Sequence, residues 1–247
     1  MSRGHARGPF DSQANLRVQK VLILTPNIDP VSLYIEASET DPVLMKIVAN
    51  VDSALATGTN TLLVGTADND DEYLASGDTT PGTPGFNTEK RFCLTEAVTL
   101  IATLASVAVA ASKALTITLI TGADTQTVTI GGVVYTLHTS LAGFTTTAGA
   151  VLIGADTTAM AANLAAAINA GAGSGTIYGS ATVANPSVSA TANLGVLTVT
   201  ARTAGASGNG IAISETLTNS AWAGGATTLS GGADASTAGQ ITLFIDV

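Results

Sequence analysis

Gly-Ala-Asp occurs at 122–124 and again at 232–234, and the 109 positions between the two aspartates hold only three charged side chains, Asp156, Arg202 and Glu215. So long a stretch, rich in Thr, Ala and Gly, has too few charges for a solvated disordered segment, which needs few apolar and many charged residues. It must satisfy its backbone internally, and its β-branched runs favour strands. The flanks sharpen the constraint. Ile-Thr-Leu stands at 117–119 and again at 241–243, as if one sheet were interrupted and then resumed. The sequence therefore predicts that Ile117–Thr121 and Ile241–Ile245 are neighbouring strands of one sheet, with a separate globule between them. Insertion at a loop tip costs little when the ends of the insert lie close, because closure entropy grows only logarithmically with length. Two domains in tandem, the last strand belonging to the second, is the rival arrangement.

Short apolar runs alternate with turn signals along the first part of the chain. Residues 18–25, 31–37, 43–50 and 59–67 read as strands, separated by Pro26-Asn27, Asp29-Pro30 and Asp41-Pro42, where proline presets φ and removes a donor. A polar excursion over 68–91 follows, with one helical turn expected at 71–76 and stopped by Gly77. Two further strand runs cover 92–104 and 113–121. Strands spaced about every ten residues indicate a sandwich or barrel.

The low-charge stretch reads differently. Gly131-Gly132 splits two alternating runs, the signature of a hairpin whose two-residue turn needs positive φ. Residues 156–171 form the one convincing helix, with Asp156 as its N-cap, Gly171 as its left-handed stop, and Met160, Leu164 and Ile168 as an apolar stripe. A second hairpin spans 187–203 and turns at Asn193-Leu194-Gly195, and 210–217 and 226–232 read as the last strands of this unit. The expected fold class is mainly β: a sandwich- or barrel-like base domain with an inserted small α+β module. The expected divisions are an N-terminal arm at 1–17, a base domain at 18–122 and 235–247, and an outward-facing module at 123–234.

The net charge is −9, unevenly spread. Arg3, Arg7, Arg17 and Lys20 make the first twenty residues basic while the rest is acidic. An acidic body does not bind nucleic acid by counterion release, so the basic stretch reads either as an arm that reaches an acidic protein surface or as an ordinary disordered N-terminus. The one cysteine, Cys93, permits no internal disulfide and is expected to be a buried small hydrophobe. The N-terminal residues lack the apolar core of a signal peptide, and the longest apolar stretch is broken by Thr, Ser and Lys113. A soluble protein made in a cytosol, without a membrane partner, is expected.

Reaction chemistry is sparse. No nucleophile elbow occurs, and "GASGNG" at 205–210 lacks the Lys-Ser/Thr ending of a phosphate loop, so it reads as a turn between strands. His138 reads as a strand-end residue. Asp68, Asp70 and Glu72, with Asp71 between them, are weak candidates for a calcium site. Read as a calcium loop from Asp68, however, the stretch has Tyr73 in place of the required glycine and Thr79 in place of the bidentate glutamate. A solvated acidic loop is the expectation, with no metal, no cofactor and no enzymatic activity. Trp222 reads as a packing anchor, or together with Tyr178 as a surface-recognition pair.

"NTLLVGTADNDDEYLASGDTTPGTPGF" (60–86) and "TAGQITLFIDV" (237–247) are similar to stretches of tailed-phage head decoration, or capsid cement, proteins. "TVTIGGVVYTLHT", "NLAAAIN" and "TAGASGN", within 127–216, resemble a module of phage virion surface and tail proteins. The resemblance implies a structural virion protein on the outer face of the phage head, synthesised in the host cytoplasm. It would be a β-rich homo-oligomer, a trimer in such families, that binds the major capsid protein and stabilises the shell across its subunits. Arg3, Arg7, Arg17 and Lys20 would then be the capsid-binding arm. A tail-tube, tail-terminator or fibre component is the alternative, since relatives of the module occur there; a carbohydrate- or host-surface-binding module centred on Trp222 and Tyr178 is the other.

Overall fold

The computed structural model describes residues 19–28, 30–39, 42–55, 57–218 and 220–246, except for the side chain of Asn87. Arg3, Arg7 and Arg17 lie outside these residues. The described residues are mainly β. Six strands come first: β1 (Gln19–Leu24), β2 (Val31–Ile35), β3 (Val43–Ser53), β4 (Thr59–Gly65), β5 (Gly85–Leu94) and β6 (Val98–Val107). Then come β7 (Ser112–Thr116), β8 (Thr127–Ile130), β9 (Val133–His138), β10 (Ala150–Leu152), helix α1 (Thr157–Asn169), β11 (Val188–Asn193), β12 (Val196–Ala201), β13 (Ile213–Glu215) and β14 (Ala221–Trp222). The last is β15 (Gln240–Asp246).

The chain divides into two compact units. The first comprises the chain up to residue 56, Asn60–Ser106 and Ser236–Val247; the second comprises Val107–Ala235 with the short piece Thr57–Thr59. The second unit is thus an insertion in the first, and its first boundary lies at 106/107 rather than at the 122/123 expected from the sequence.

In the first unit, a four-stranded antiparallel sheet of order β1-β15-β3-β5 and a three-stranded sheet β2-β6-β4 enclose one core. Strict alternation builds it. Met45, Ile47, Ala49 and Val51 of β3 point inward, as do Leu100, Ala102 and Leu104 of β6, because successive side chains of a strand lie on opposite faces. The final strand is central: β15 pairs with β1 from Gln19↔Asp246 to Leu24↔Ile241, and with β3 on its other side. Ile241, Leu243 and Ile245 are fully buried, so the sheet is incomplete until the last residues arrive.

The expected pairing of Ile117–Thr121 with Ile241–Ile245 is therefore corrected. β7 belongs to the second unit, between β12 and β14, with Leu115 opposite Leu197 and Trp222; β15 places Leu243 opposite Leu22 and Ala49. The first Ile-Thr-Leu triplet lies beyond the end of β7 and forms no strand, whereas the second lies within β15; a shared triplet does not choose a partner. What chooses it is which apolar face each strand can cover.

The second unit holds the sheets β10-β9-β8-β13 and β11-β12-β7-β14 and helix α1, which packs on β10, β11 and β12. Its core is separate from the first. Asp156 caps α1 by accepting the Ala159 N–H at 2.8 Å, and Met160, Leu164 and Ile168 are buried as the stripe predicts. The left-handed stop is Ala170 (φ 48°), not Gly171, whose N–H instead donates to the Ala166 carbonyl at 2.9 Å. Gly131 (φ 57°) and Gly132 (φ 82°) form the expected two-residue hairpin turn. The ends of the insert adjoin: Val109 and Ala233 exchange two backbone hydrogen bonds of 2.7 and 3.0 Å within the second unit, and the Ser236 N–H donates to Ser106 Oγ at 2.7 Å within the first.

Two local expectations change. No helical turn forms at 71–76, because Leu74 is pinned by a bridge to Val64 and buried with Tyr73 in the first core. Residues 226–232 make only isolated bridges, Thr228 to Ala212 and Ser230 to Ser112. No helix among the described residues is long and apolar enough to cross a membrane.

Candidate functional site

The two Gly-Ala-Asp copies have the same task in different places. Asp124 Oδ1 accepts the Thr139 N–H at 2.8 Å, and Asp234 Oδ1 accepts the Ala206 N–H at 2.9 Å. The second contact fills the "GASGNG" turn with the protein's own carboxylate, while Asn209 clasps Gly232 through both its amide atoms at 2.8 and 2.9 Å. That segment is a short 3-10 turn, Ala206–Gly210, between β12 and β13, as its sequence suggests.

Trp222 is 3% exposed and Tyr178 2%, so neither ring is presented at the surface and the recognition pair is corrected. Trp222 packs in the core of the second unit, as the anchor reading expects, with Nε1 buried and without a partner. The Tyr178 hydroxyl donates to the Gly171 carbonyl. His138 is nearly buried and stacks on Phe144, with ring centroids 3.9 Å apart and planes 14° apart. Cys93 is exposed rather than buried, because it lies opposite Leu44 on the outward side of the β3–β5 ladder. Asp68, Asp70, Asp71 and Glu72 are exposed, and no three metal-ligating side chains converge among the described residues. Lys20 sits in β1 opposite Ile245 rather than in a preceding arm.

The surface with the most distinctive chemistry is the outward side of the sheet β1-β15-β3-β5. Cα partners across antiparallel strands share a face, so the registers define rows across it. One row runs Gln19, Asp246, Lys46, Arg91; the next Val21, Phe244, Val48, Glu89; the third Ile23, Thr242, Asn50, Phe86. Between them lies a shallow depression of about 550 Å³ lined by Gln19, Lys46, Phe86, Glu89, Phe244 and Asp246, among others. Val21 is 50% exposed, Ile23 57%, Leu44 65% and Phe86 77%. A contiguous apolar patch with a polar rim marks a recognition surface rather than ordinary surface scatter.

Its electrostatics are local. Lys46 Nζ lies 3.4 Å from Glu89 and 3.9 Å from Asp246. Arg91 donates to Glu89 through Nε and Nη2 at 2.9 and 2.7 Å. The Arg91 hydrogen bond, followed by the charge of Lys46, holds the Glu89 carboxyl below its ordinary range. Gln19 Nε2 donates to Asp246 at 3.2 Å.

The edges of this sheet are guarded. Lys90 lies on the core side of edge strand β5, opposite Ile47, and is neutralised by Asp78 at 2.5 Å; Lys20 holds the equivalent side of β1. Inward-pointing charges on edge strands oppose the addition of a further strand. The face, not the edges, is the open surface.

None of these face residues except Cys93 was singled out from the sequence. A signal was present: in β3, Leu44 and Val48 are apolar at the positions that alternate with the core residues Met45, Ile47 and Ala49. The same side also carries Lys46 and Asn50, so the second face of this strand is mixed rather than apolar. No protein family, curated protein or solved structure matches this chain.

Proposed function

We propose that this protein is a structural component of a phage virion, a decoration protein that binds the major capsid protein on the outer surface of the head. The observation that carries this reading is how the two resemblances fall on the two units. Residues 60–86 and 237–247, which are similar to decoration proteins, belong to the first unit, though far apart in sequence; residues 127–216, which resemble the virion-surface module, lie within the second. Neither stretch is cut by the division. Binding of this kind needs buried area and repetition over a symmetric lattice rather than bond chemistry, because each weak contact is multiplied by the next.

On this reading Arg3, Arg7 and Arg17 meet carboxylates of the capsid protein, while the inserted unit is displayed to solvent. Immunogold labelling of virions, with purified protein added to emptied shells, tests it. Label on the head and saturable, salt-sensitive binding to shells are expected. Label confined to the tail would favour a tail-tube, tail-terminator or fibre protein and overturn the head assignment. Occupancy unchanged by deletion of residues 2–17, at low and high salt alike, would remove the arm from the account.

A further inference from the structure

We infer that the slot between β1 and β3, filled within one chain by β15, is a strand-binding site that also takes the β15 of a second copy, the two copies exchanging their C-terminal segments reciprocally. The strand is the last element of the chain, yet it is central in its sheet. It pairs with β1 from Leu24↔Ile241 to Gln19↔Asp246, and with β3 from Gln240↔Ser53 to Asp246↔Lys46. Ile241, Leu243 and Ile245 are fully buried. β1 in turn has no other strand beside it, since the order is β1-β15-β3-β5. The slot is therefore complete only when a strand with apolar side chains at alternate positions arrives from a chain end.

The registers name the occupant. Residues 240–246 of a second copy carry the same sequence, so they make the same two ladders and bury the same three side chains, with no new surface to be matched. The connection allows it. Among the described residues, 234–239 make no backbone-to-backbone hydrogen bond. Side chains hold them instead: Asp234 accepts the Ala206 N–H at 2.9 Å, Ser106 Oγ accepts the Ser236 N–H at 2.7 Å, and Ser236 Oγ donates to the Ala238 carbonyl at 2.6 Å. Opening this hinge breaks no rung of either ladder. The flanks of the sheet, by contrast, carry the inward charges Lys20 and Lys90, which oppose a further strand there. The central slot is where one copy can supply a strand to another.

Closed and exchanged forms share every strand contact, so concentration decides between them. A short tether presents its own strand at an effective concentration of roughly 1 mM. Well below that, each chain closes on itself; where copies fold side by side, exchange competes. This holds with or without the capsid reading.

The test uses a register pair. Val21 and Phe244 are Cα partners on the outward side of β1 and β15, and cross-strand Cβ atoms about 5 Å apart come within reach of a disulfide. Val21→Cys and Phe244→Cys, each in a Cys93→Ser chain, are mixed in equal amounts, refolded from denaturant at about 10 μM or about 1 mM, and oxidised. Their disulfide joins two chains only when the β15 of one lies beside the β1 of the other. The interchain product should be about 1% at the lower concentration and about tenfold or more greater at the higher. Val21→Cys mixed with Val183→Cys, at an exposed position of the second unit, reports collision alone. Interchain product no greater than that collision level at the higher concentration, while the double variant Val21→Cys/Phe244→Cys closes its own disulfide, overturns the inference. If a cysteine variant does not fold by circular dichroism, or the double variant does not close, deletion of 235–239 decides. It removes about 17 Å of reach, so that chain should sediment as a dimer at about 10 μM. A folded monomer, or a first unit that no longer melts cooperatively, overturns the inference there.

Discussion

Asn185 is the polar centre of the inserted unit, and its replacement by leucine gives a demanding test of how that unit is held together. The side chain is 1% exposed. Its Nδ2 donates to the Ile130 carbonyl at 3.1 Å and to Tyr135 Oη at 3.3 Å, and its Oδ1 accepts the N–H groups of Ser187 at 3.0 Å and Val188 at 3.3 Å. It therefore joins the β8–β9 hairpin to the start of β11. Leucine has a similar shape but removes all four bonds, each worth about 1 kcal/mol, and leaves buried groups unpaired. Added apolar burial returns about 1–2 kcal/mol. The net loss is about 3–5 kcal/mol, or roughly 10–20 °C for a unit of this size.

Trp222 is the only tryptophan of the chain and lies in the same core, so its fluorescence reports the melting of this unit alone. The expected result is a Trp222-detected midpoint lowered by about that amount, while a far-UV transition belonging to the first unit stays in place. A drop of less than about 3 °C would mean that the network does not bear the load assigned to it. Equal movement of both transitions would refute the independence of the two cores.

Excision of 107–235, with Ser106 joined to Ser236 through a short glycine turn, should leave a cooperatively melting first unit, since those ends already adjoin; a molten or insoluble remnant on calorimetry would refute the division. Gly65→Ala should lower the far-UV midpoint of the first unit by about 1–3 kcal/mol equivalent, with Trp222 fluorescence unchanged, because an added Cβ would overlap the Asn69 carbonyl. Asp78 is held below its ordinary value of 3.8, first by the hydrogen bond from Lys90 and then by the Ala75 N–H, against the opposing effect of burial. A lowered folded-state value adds stability that is fully present above the unfolded value and lost as pH falls through the folded one. Chemical denaturation should therefore find Asp78→Asn less stable than wild type by at most about 1 kcal/mol at neutral pH, the gap closing below pH 3.8; a gap independent of pH would refute the pairing.

Local chemistry was legible residue by residue. Alternation fixed which side chains of β3 and β6 face inward, because a strand has no other way to dispose of successive side chains. Gly131-Gly132 and the N-cap Asp156 specified their turn and helix start through φ and a single hydrogen bond. The presence of an insertion was legible too, from the repeated Gly-Ala-Asp and the uncharged run between its copies.

What tertiary structure alone decided is partnership. The Ile-Thr-Leu triplets at 117 and 241 share a sequence, yet the first lies past the end of β7, outside any strand, while the second is part of β15 between β1 and β3. The same holds at the candidate surface: Gln19, Lys46, Arg91 and Asp246 come from four separate parts of the chain and form one row only when β15 enters between β1 and β3. A strand states which of its faces is apolar, but the covering surface comes from residues up to 227 positions away, and no local term in the free energy contains that distance.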